Sequence, residues 1–306
     1  MRESNQVSPR VIVTGASGFI GSGLVSTLGP GRSSILSVRD DGWPARLGKI
    51  RFEGTTLVHL GGRAHLAGTD ATGIDNDNCA RTLSLARLTQ SRGLKRFVFV
   101  SSVKVHGDSS LRPFTETDPL LPEDAYARAK RDAETGLARI AQATGLEVVV
   151  LRPPVVYGPG VRGNFLSLLE LASSPWPLPF ASLGNRRSLV SRANLVSVIE
   201  TCIAHPQAPG LTFLVSDGAP VSMAQLVTTM RAAMGRSPGM FRFPAAGLRA
   251  LATLAGRRDA VSKVIDSLEV DASRLRSILG WQPVQGFEEA IGETVRWFGS
   301  SGAPRE

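Results

Sequence analysis

The chain has 306 residues, 42% hydrophobic and 20% charged, enough to bury a full core in one large domain with a smaller lobe. No uncharged apolar run reaches the roughly 18 residues of a membrane span, and the polar N-terminus, with Glu3, lacks the apolar core of a signal peptide, so a cytoplasmic protein without stable membrane insertion is expected. Cys79 and Cys202 have neither C-x-x-C nor metal-ligand spacing, so no disulfide framework and no metal are expected; the net charge of +9 is scattered along the chain, which argues against nucleic acid and suits a small polyanionic ligand.

Short β-branched runs alternate with helical patterns through the first half. A strand over Arg10–Thr14 runs into Thr14-Gly-Ala-Ser-Gly-Phe-Ile-Gly21 and a helix over 19–28. Glycines at such a junction permit a tight turn and let the backbone approach a pyrophosphate, whose charge the open N–H groups of a helix N-terminus favour. Gly15, Ser17, Gly18, Phe19, Ile20 and Gly21 are therefore candidate contacts to a dinucleotide. A second strand, Ile35–Val38, ends at Arg39-Asp40. An acid at this point would bind ribose hydroxyls and an arginine a 2′-phosphate, so Arg39 leans the cofactor to NADP while Asp40 keeps NAD open.

A third strand falls over Thr55–Leu60, a helix over 78–92 and a fourth strand over Arg96–Val100, with Gly93 as a helix stop. Past that strand lies Ser101-Ser-Val-Lys-Val-His-Gly107, at the strand end where ligands of doubly wound sheets bind. The helix over 123–144, stopped by Gly145, carries Tyr126 and Lys130 one turn apart on one face. An ammonium beside a phenol eases formation of the phenolate, so this pair can exchange a proton with a hydroxyl or ketone, and Ser102 can hydrogen-bond the same oxygen.

A fifth strand, Glu147–Leu151, precedes Pro153-Pro154, after which glycine and proline break the pattern. The fold class expected is α/β, a doubly wound parallel (Rossmann) sheet over 1–155, with 156–306 mainly a smaller substrate-binding lobe. That second part carries a strand at Thr212–Val215 and helices near 222–234, 245–255 and 286–298, and some of its segments are expected to return to the first domain.

The joint pattern of T-G-x-x-G-x-x-G, S-S-x-x-V-x-G, Y-x-x-x-K and Arg152-Pro-Pro-x-Val-Tyr-Gly-Pro-Gly160 resembles extended short-chain dehydrogenase/reductases of the NAD-dependent epimerase/dehydratase family, over nearly the whole chain. The resemblance implies an NAD(P)-dependent oxidoreductase acting at C4 of a nucleotide-activated sugar. It makes Tyr126 the acid/base, Lys130 its helper, both of them cofactor contacts, and Ser102 the group that polarises the sugar oxygen. It places Leu60, Gly61, Asn78 and Pro153 along the cofactor, although a helix N-cap alone would explain Asn78. It also places Asn164 and Arg187 on the substrate, with Lys104 either a cation near the substrate or a solvated strand-end lysine.

Dehydratases of the family carry an Asp-Glu pair where this chain has Val103 and Lys104, so elimination is not expected. Reduction of a UDP-4-keto-6-deoxy-N-acetylhexosamine for surface polysaccharide synthesis is the reading this resemblance favours, with a UDP-hexose 4-epimerase and a non-catalytic NADP(H)-binding sensor or scaffold as alternatives. His106 stands where the family has tyrosine and reads as a wall residue. A homodimer through the helices around 78–92 and 126–144 is a further implication. One departure is plain: the segment from Arg39 to Thr55 is too short for the family's usual strand and helix, which leaves either a lost element or an irregular substitute over Trp43–Glu53.

Overall fold

A computed structural model describes residues 10–60, 71–254, 262 and 264–300. Among them six parallel strands form one sheet in the order β2-β1-β3-β4-β5-β8, from β1 (Val11–Thr14), β2 (Ser33–Leu36), β3 (Thr56–His59), β4 (Arg96–Val100), β5 (Glu147–Arg152) and β8 (Thr212–Leu214). β1, β3 and β4 are buried at every residue, which is why they read as continuous apolar runs. Side chains alternate between two cores. Val11, Val13, Val98, Val149 and Leu151 face one; Ile12, Leu57, Phe97, Phe99, Val148 and Val150 face the other.

Helices cover both faces. α1 (Phe19–Leu28) and α6 (Arg192–Ala204) close the first core with Leu24, Leu28, Val198, Ile199 and Cys202. α3 (Ala71–Gln90) and α4 (Ala125–Thr144) close the second with Leu85, Ala86, Ala133, Leu137 and Ile140. α3 and α4 cross closely at Gly136, where a Cβ would come within 2.5 Å of Leu83. Gly93 and Gly145 end these helices with positive φ, at 87° and 74°, as their spacing predicted.

Several boundaries move. β2 lies two residues earlier than its apolar pattern suggested. α3 begins at Ala71, so Asn78 sits inside the helix and is not its cap. The short segment after Arg39 does hold an irregular substitute: a turn of helix, α2 (Trp43–Arg46), and a 3₁₀ turn, Leu47–Lys49. Trp43, Leu47 and Phe52 from this stretch are buried in the second core. β2 is therefore an edge strand, with Ile35 63% exposed.

After β5 the chain forms a two-stranded parallel pair, β6 (Val155–Tyr157) with β7 (Leu189–Ser191). α5 (Asn164–Ser173), α7 (Met223–Ala233), α8 (Ala245–Leu254) and α10 (Phe287–Ser300) surround a third core built on Tyr157, Phe165, Leu169, Leu226 and Ile291. α6, β8 and α9 (Ser273–Leu279) return to the first sheet, β8 as its far edge beside β5. Neither α5, α6 nor α9 stood out in the sequence.

Buried arginines tie loops together in both parts. Arg96 Nη1 donates to the carbonyls of Cys202, Ile203 and His205 at the end of α6. Arg231, 3% exposed, donates to the carbonyls of Ala172, Ser174, Trp176, Pro238 and Gly239. Replacing Arg231 by Leu strands this set of acceptors, and a loss of about 3 kcal/mol in urea unfolding is expected; a midpoint within error of wild type would refute the role assigned to it.

Candidate active site

The phosphate loop is shaped by contacts that leave no room for side chains. Gly15 has φ 72°, and its carbonyl accepts from Gly18 N at 2.9 Å. A Cβ on Gly21 would lie 2.1 Å from that carbonyl oxygen, and one on Gly18 3.1 Å from it. α1 starts at Phe19 with Gly18 as its cap and no side chain capping it, which leaves first-turn N–H groups for an anion. The cradle fits a dinucleotide pyrophosphate. Leu60 packs against the first core, with its N–H on the carbonyl of Thr14 at 3.3 Å; Gly61 lies outside the described residues.

Arg39 reaches back over the loop, donating to Ser17 Oγ at 3.1 Å. The neighbouring acids have other cations. Asp40 pairs with Arg46 at 2.7 Å, a hydrogen bond that holds its carboxyl below the usual range, and Asp41 pairs with Arg81. Sequence reasoning singled out Arg39 but not the arginines that occupy the acids.

At the ends of β1 and β3 lies a chain of side chains that the sequence did not announce. Thr82 Oγ1 donates to the carbonyl of Asn78 at 2.8 Å, so it accepts from His59 Nε2 at 3.0 Å. His59 Nδ1 then accepts from Thr14 Oγ1 at 2.6 Å. Burial, then the charge of Lys130, pushes the His59 pKa down to about 3, so the ring is neutral.

Ser102, Tyr126 and Lys130 converge on the exit of β4. The β4 and β5 exits are joined by Ser101 N to Leu151 O at 2.8 Å and Val103 N to Pro153 O at 3.0 Å, which places Pro153 beside the serines. Ser102 is extended and caps a 3₁₀ turn, Val103–Val105. Lys130 Nζ donates to the carbonyl of Val100 at 2.9 Å, lies 4.7 Å from the centre of the Phe99 ring, and lies 5.7 Å from that of Tyr126. α4 is capped by Asp124, whose Oδ1 accepts from Ala127 N at 2.7 Å. Lys104 Nζ bonds to the same carboxylate and lies 3.2 Å from Asp108, so it clamps the serine loop to the first turn of α4.

Beneath the triad is a buried network. Glu134 and Arg152, each 7% exposed at the side chain, pair at 2.6 Å. Ser101 Oγ donates to Glu134, and Arg152 Nη1 donates to His106 Nε2 at 2.9 Å. His106 therefore carries its proton on Nδ1 and donates to the carbonyl of Pro119 at 3.2 Å. Burial foremost, then Arg152, lowers its pKa, as suits a wall residue. Glu134 was missed in the sequence, although it lies one turn beyond Lys130 on the same face.

The second part supplies the remaining candidates. Asn164 is the exposed first residue of α5, after Gly163 with φ 63°. Arg187 is half-buried; one N–H donates to Asp266 O at 2.8 Å, and Asp266 and Asp108 are acids whose charge it feels. Arg186 points outward to Glu269 at 2.9 Å.

A glycine loop at the head of a doubly wound sheet, with a tyrosine and lysine docked at the same edge, defines a dinucleotide-dependent enzyme of the Rossmann class. The chain belongs to the NAD dependent epimerase/dehydratase family, whose pattern matches residues 11–211. It is 38% identical to the UDP-glucose 4-epimerase of Vibrio cholerae, over 94% of this chain and 95% of that one. It is 21% identical to the dTDP-4-dehydro-6-deoxyglucose reductase of Escherichia coli, over 94% and 96%. Its fold superposes on the UDP-N-acetylglucosamine 4-epimerase of Bacillus cereus with a TM-score of 0.76 at 18% identity, covering 94% of this chain and 99% of that one.

Two measurements check the site. Gly21→Ala forces a methyl against the Gly15 carbonyl, and dinucleotide affinity by calorimetry is expected to fall roughly a hundredfold or more; an unchanged value would remove the loop from the cofactor site. His59 binds its proton in the unfolded chain near pH 6.5 but in the folded chain only near 3. Between these values the unfolded state holds more protons, so stability is complete above pH 6.5 and drains as pH falls, by something on the order of 4 kcal/mol. His59→Gln should flatten that part of the urea-midpoint profile.

Proposed function

We propose that this protein performs oxidoreduction at C4 of a nucleotide-activated sugar, with Tyr126 exchanging the proton of the C4 oxygen. The observation that carries the reading is Lys130, fixed on the Val100 carbonyl beside the Tyr126 ring at the edge of the sheet where the phosphate loop opens. A bound nicotinamide dinucleotide would supply hydride exchange at C4; Gly15, Ser17, Gly18, Phe19, Ile20, Gly21, Arg39, Leu60, Asn78, Lys130 and Pro153 are the residues to hold it. Tyr126 takes or gives the oxygen-bound proton, and Ser102 hydrogen-bonds that oxygen. The Lys130 ammonium stabilises negative charge as it develops on the phenol. Asn164 and Arg187 are assigned to the substrate's diphosphate, an anion suited to a guanidinium with donors beyond the one given to Asp266. Lys104 serves by holding the serine loop to α4.

The identity to the Vibrio cholerae protein supports 4-epimerisation of a UDP-hexose as the reaction. Reduction of a UDP-4-keto-6-deoxy-N-acetylhexosamine is the second reading, favoured by Arg39 over the loop and by the arginine-bound Asp40 and Asp41, a setting for the 2′-phosphate of NADP. A homodimer through the outer face of α3 and α4 belongs to the same proposal and rests on the family resemblance.

Interconversion of UDP-glucose and UDP-galactose with NAD present establishes the epimerase; stoichiometric NADPH oxidation by the 4-keto sugar establishes the reductase. Tyr126→Phe is expected to lower kcat by roughly 10²–10⁴ in either assay while dinucleotide affinity holds. Dinucleotide binding without turnover of any nucleotide sugar would sink the catalytic reading in favour of a sensor. Arg39→Asp should move preference from NADPH to NADH by roughly tenfold or more; an unmoved ratio would take Arg39 out of the cofactor site.

A further inference from the structure

The positive charge is less evenly placed than the composition suggests. Residues 218–258 contain no Asp or Glu, and they hold arginines at 231, 236, 242, 249, 257 and 258. Arg231 is spent on carbonyls inside the fold, while Arg236, Arg242 and Arg249 are exposed. The same surface carries large apolar side chains turned outward. Trp176 is 73% exposed, Phe241 45% and Leu171 39%.

These groups share one framework. Phe241 N donates to Leu178 O and Leu178 N to Gly239 O, each at 2.9 Å, which sets the Phe241 segment beside the Trp176 turn. Arg231 holds the Trp176 carbonyl from within, and Arg236 reaches the Ser173 and Ser174 carbonyls at the end of α5. Leu171 lies on the last turn of α5. Among the described residues, Glu170 on α5 and Asp266, which pairs with Arg249 at 2.6 Å, adjoin the patch. Arg242 makes no ion pair among the described residues.

Exposed tryptophan and phenylalanine at loop tips, ringed by arginine with few acids, match the interface of an anionic lipid bilayer: rings enter the headgroup layer while guanidinium groups meet lipid phosphate. Like charge opposes the pairing of this face with the same face of a second copy. We propose that this face of the second lobe docks the protein peripherally on an anionic membrane surface. The Trp176 end of this face lies at the opposite end of α5 from Asn164, about 15 Å along a helix of this length, while its Arg249 end pairs with Asp266, whose carbonyl holds Arg187. The inference stands apart from the sugar chemistry, since it uses none of the site residues.

The test is flotation of the full-length protein with vesicles of phosphatidylglycerol and phosphatidylcholine, against phosphatidylcholine alone. Flotation with the anionic vesicles is expected, with tryptophan emission partly quenched by brominated acyl chains and that quenching lost in Trp176→Ala; Trp43 and Trp281 are buried and Trp297 packs against the third core, so these three stay bright. Trp176→Ala with Phe241→Ala should weaken vesicle affinity roughly tenfold or more, and Arg242→Glu should do likewise. Dinucleotide affinity should be unchanged in both, which shows that the fold is intact. No flotation at low salt overturns the proposal and leaves a protein as the occupant of this face. Equal flotation of wild type and both variants overturns it as well, since net charge alone would then account for binding.

Discussion

The Glu134–Arg152 pair is the joint on which the catalytic edge depends. It links α4, which carries Tyr126 and Lys130, to the last residue of β5, and each end of the pair is extended by another hydrogen bond, from Ser101 on one side and to His106 on the other. A buried ion pair adds little net stability once desolvation is counted, but losing one partner leaves an uncompensated charge. Such a pair therefore fixes a position more than it adds strength. The placement of α4 follows from it: with Glu134 anchored, Lys130 falls under the Val100 carbonyl, and Asp124, the cap two residues before Tyr126, meets Lys104.

A second constraint comes from what the chain lacks. Between Arg39 and Thr55 it folds a turn of α-helix and a 3₁₀ turn in place of a further strand, and three buried side chains, Trp43, Leu47 and Phe52, fill the second core in its stead. The sheet ends at β2, and beside the loop that follows it lies a cluster of alternating charges: Arg39, Asp40, Arg46, Asp41 and Arg81. A segment that supplies core volume without ladder hydrogen bonds preserves burial while giving up an edge.

Much of this was legible in the sequence, for physical reasons that differ by residue. The strands of the central sheet were readable because burial on both faces leaves no polar alternation, and the phosphate loop because Gly18 and Gly21 answer to one carbonyl that admits no side chain. β2 was displaced by two residues because an edge strand, half wet, carries a weak pattern. α6 escaped notice because it is buried on most sides and has little amphipathic contrast, and Asn78 passed for a cap because asparagine is a common cap where nothing earlier signals a helix. Glu134, His59 and Asp124 could not be assigned from spacing alone. Their roles depend on groups 18 to 45 residues away, at Arg152, Thr14 and Lys104.

The hydrogen-bond chain at the heads of β1 and β3 has a direction. Thr14 donates to His59, His59 to Thr82, and Thr82 to the carbonyl of Asn78, so every proton points toward α3. A carbonyl has no proton to pass onward, and the neutral ring resists taking up a second one. The row is thus a latch, not a wire: it pins α3 to the heads of β1 and β3 and conducts nothing.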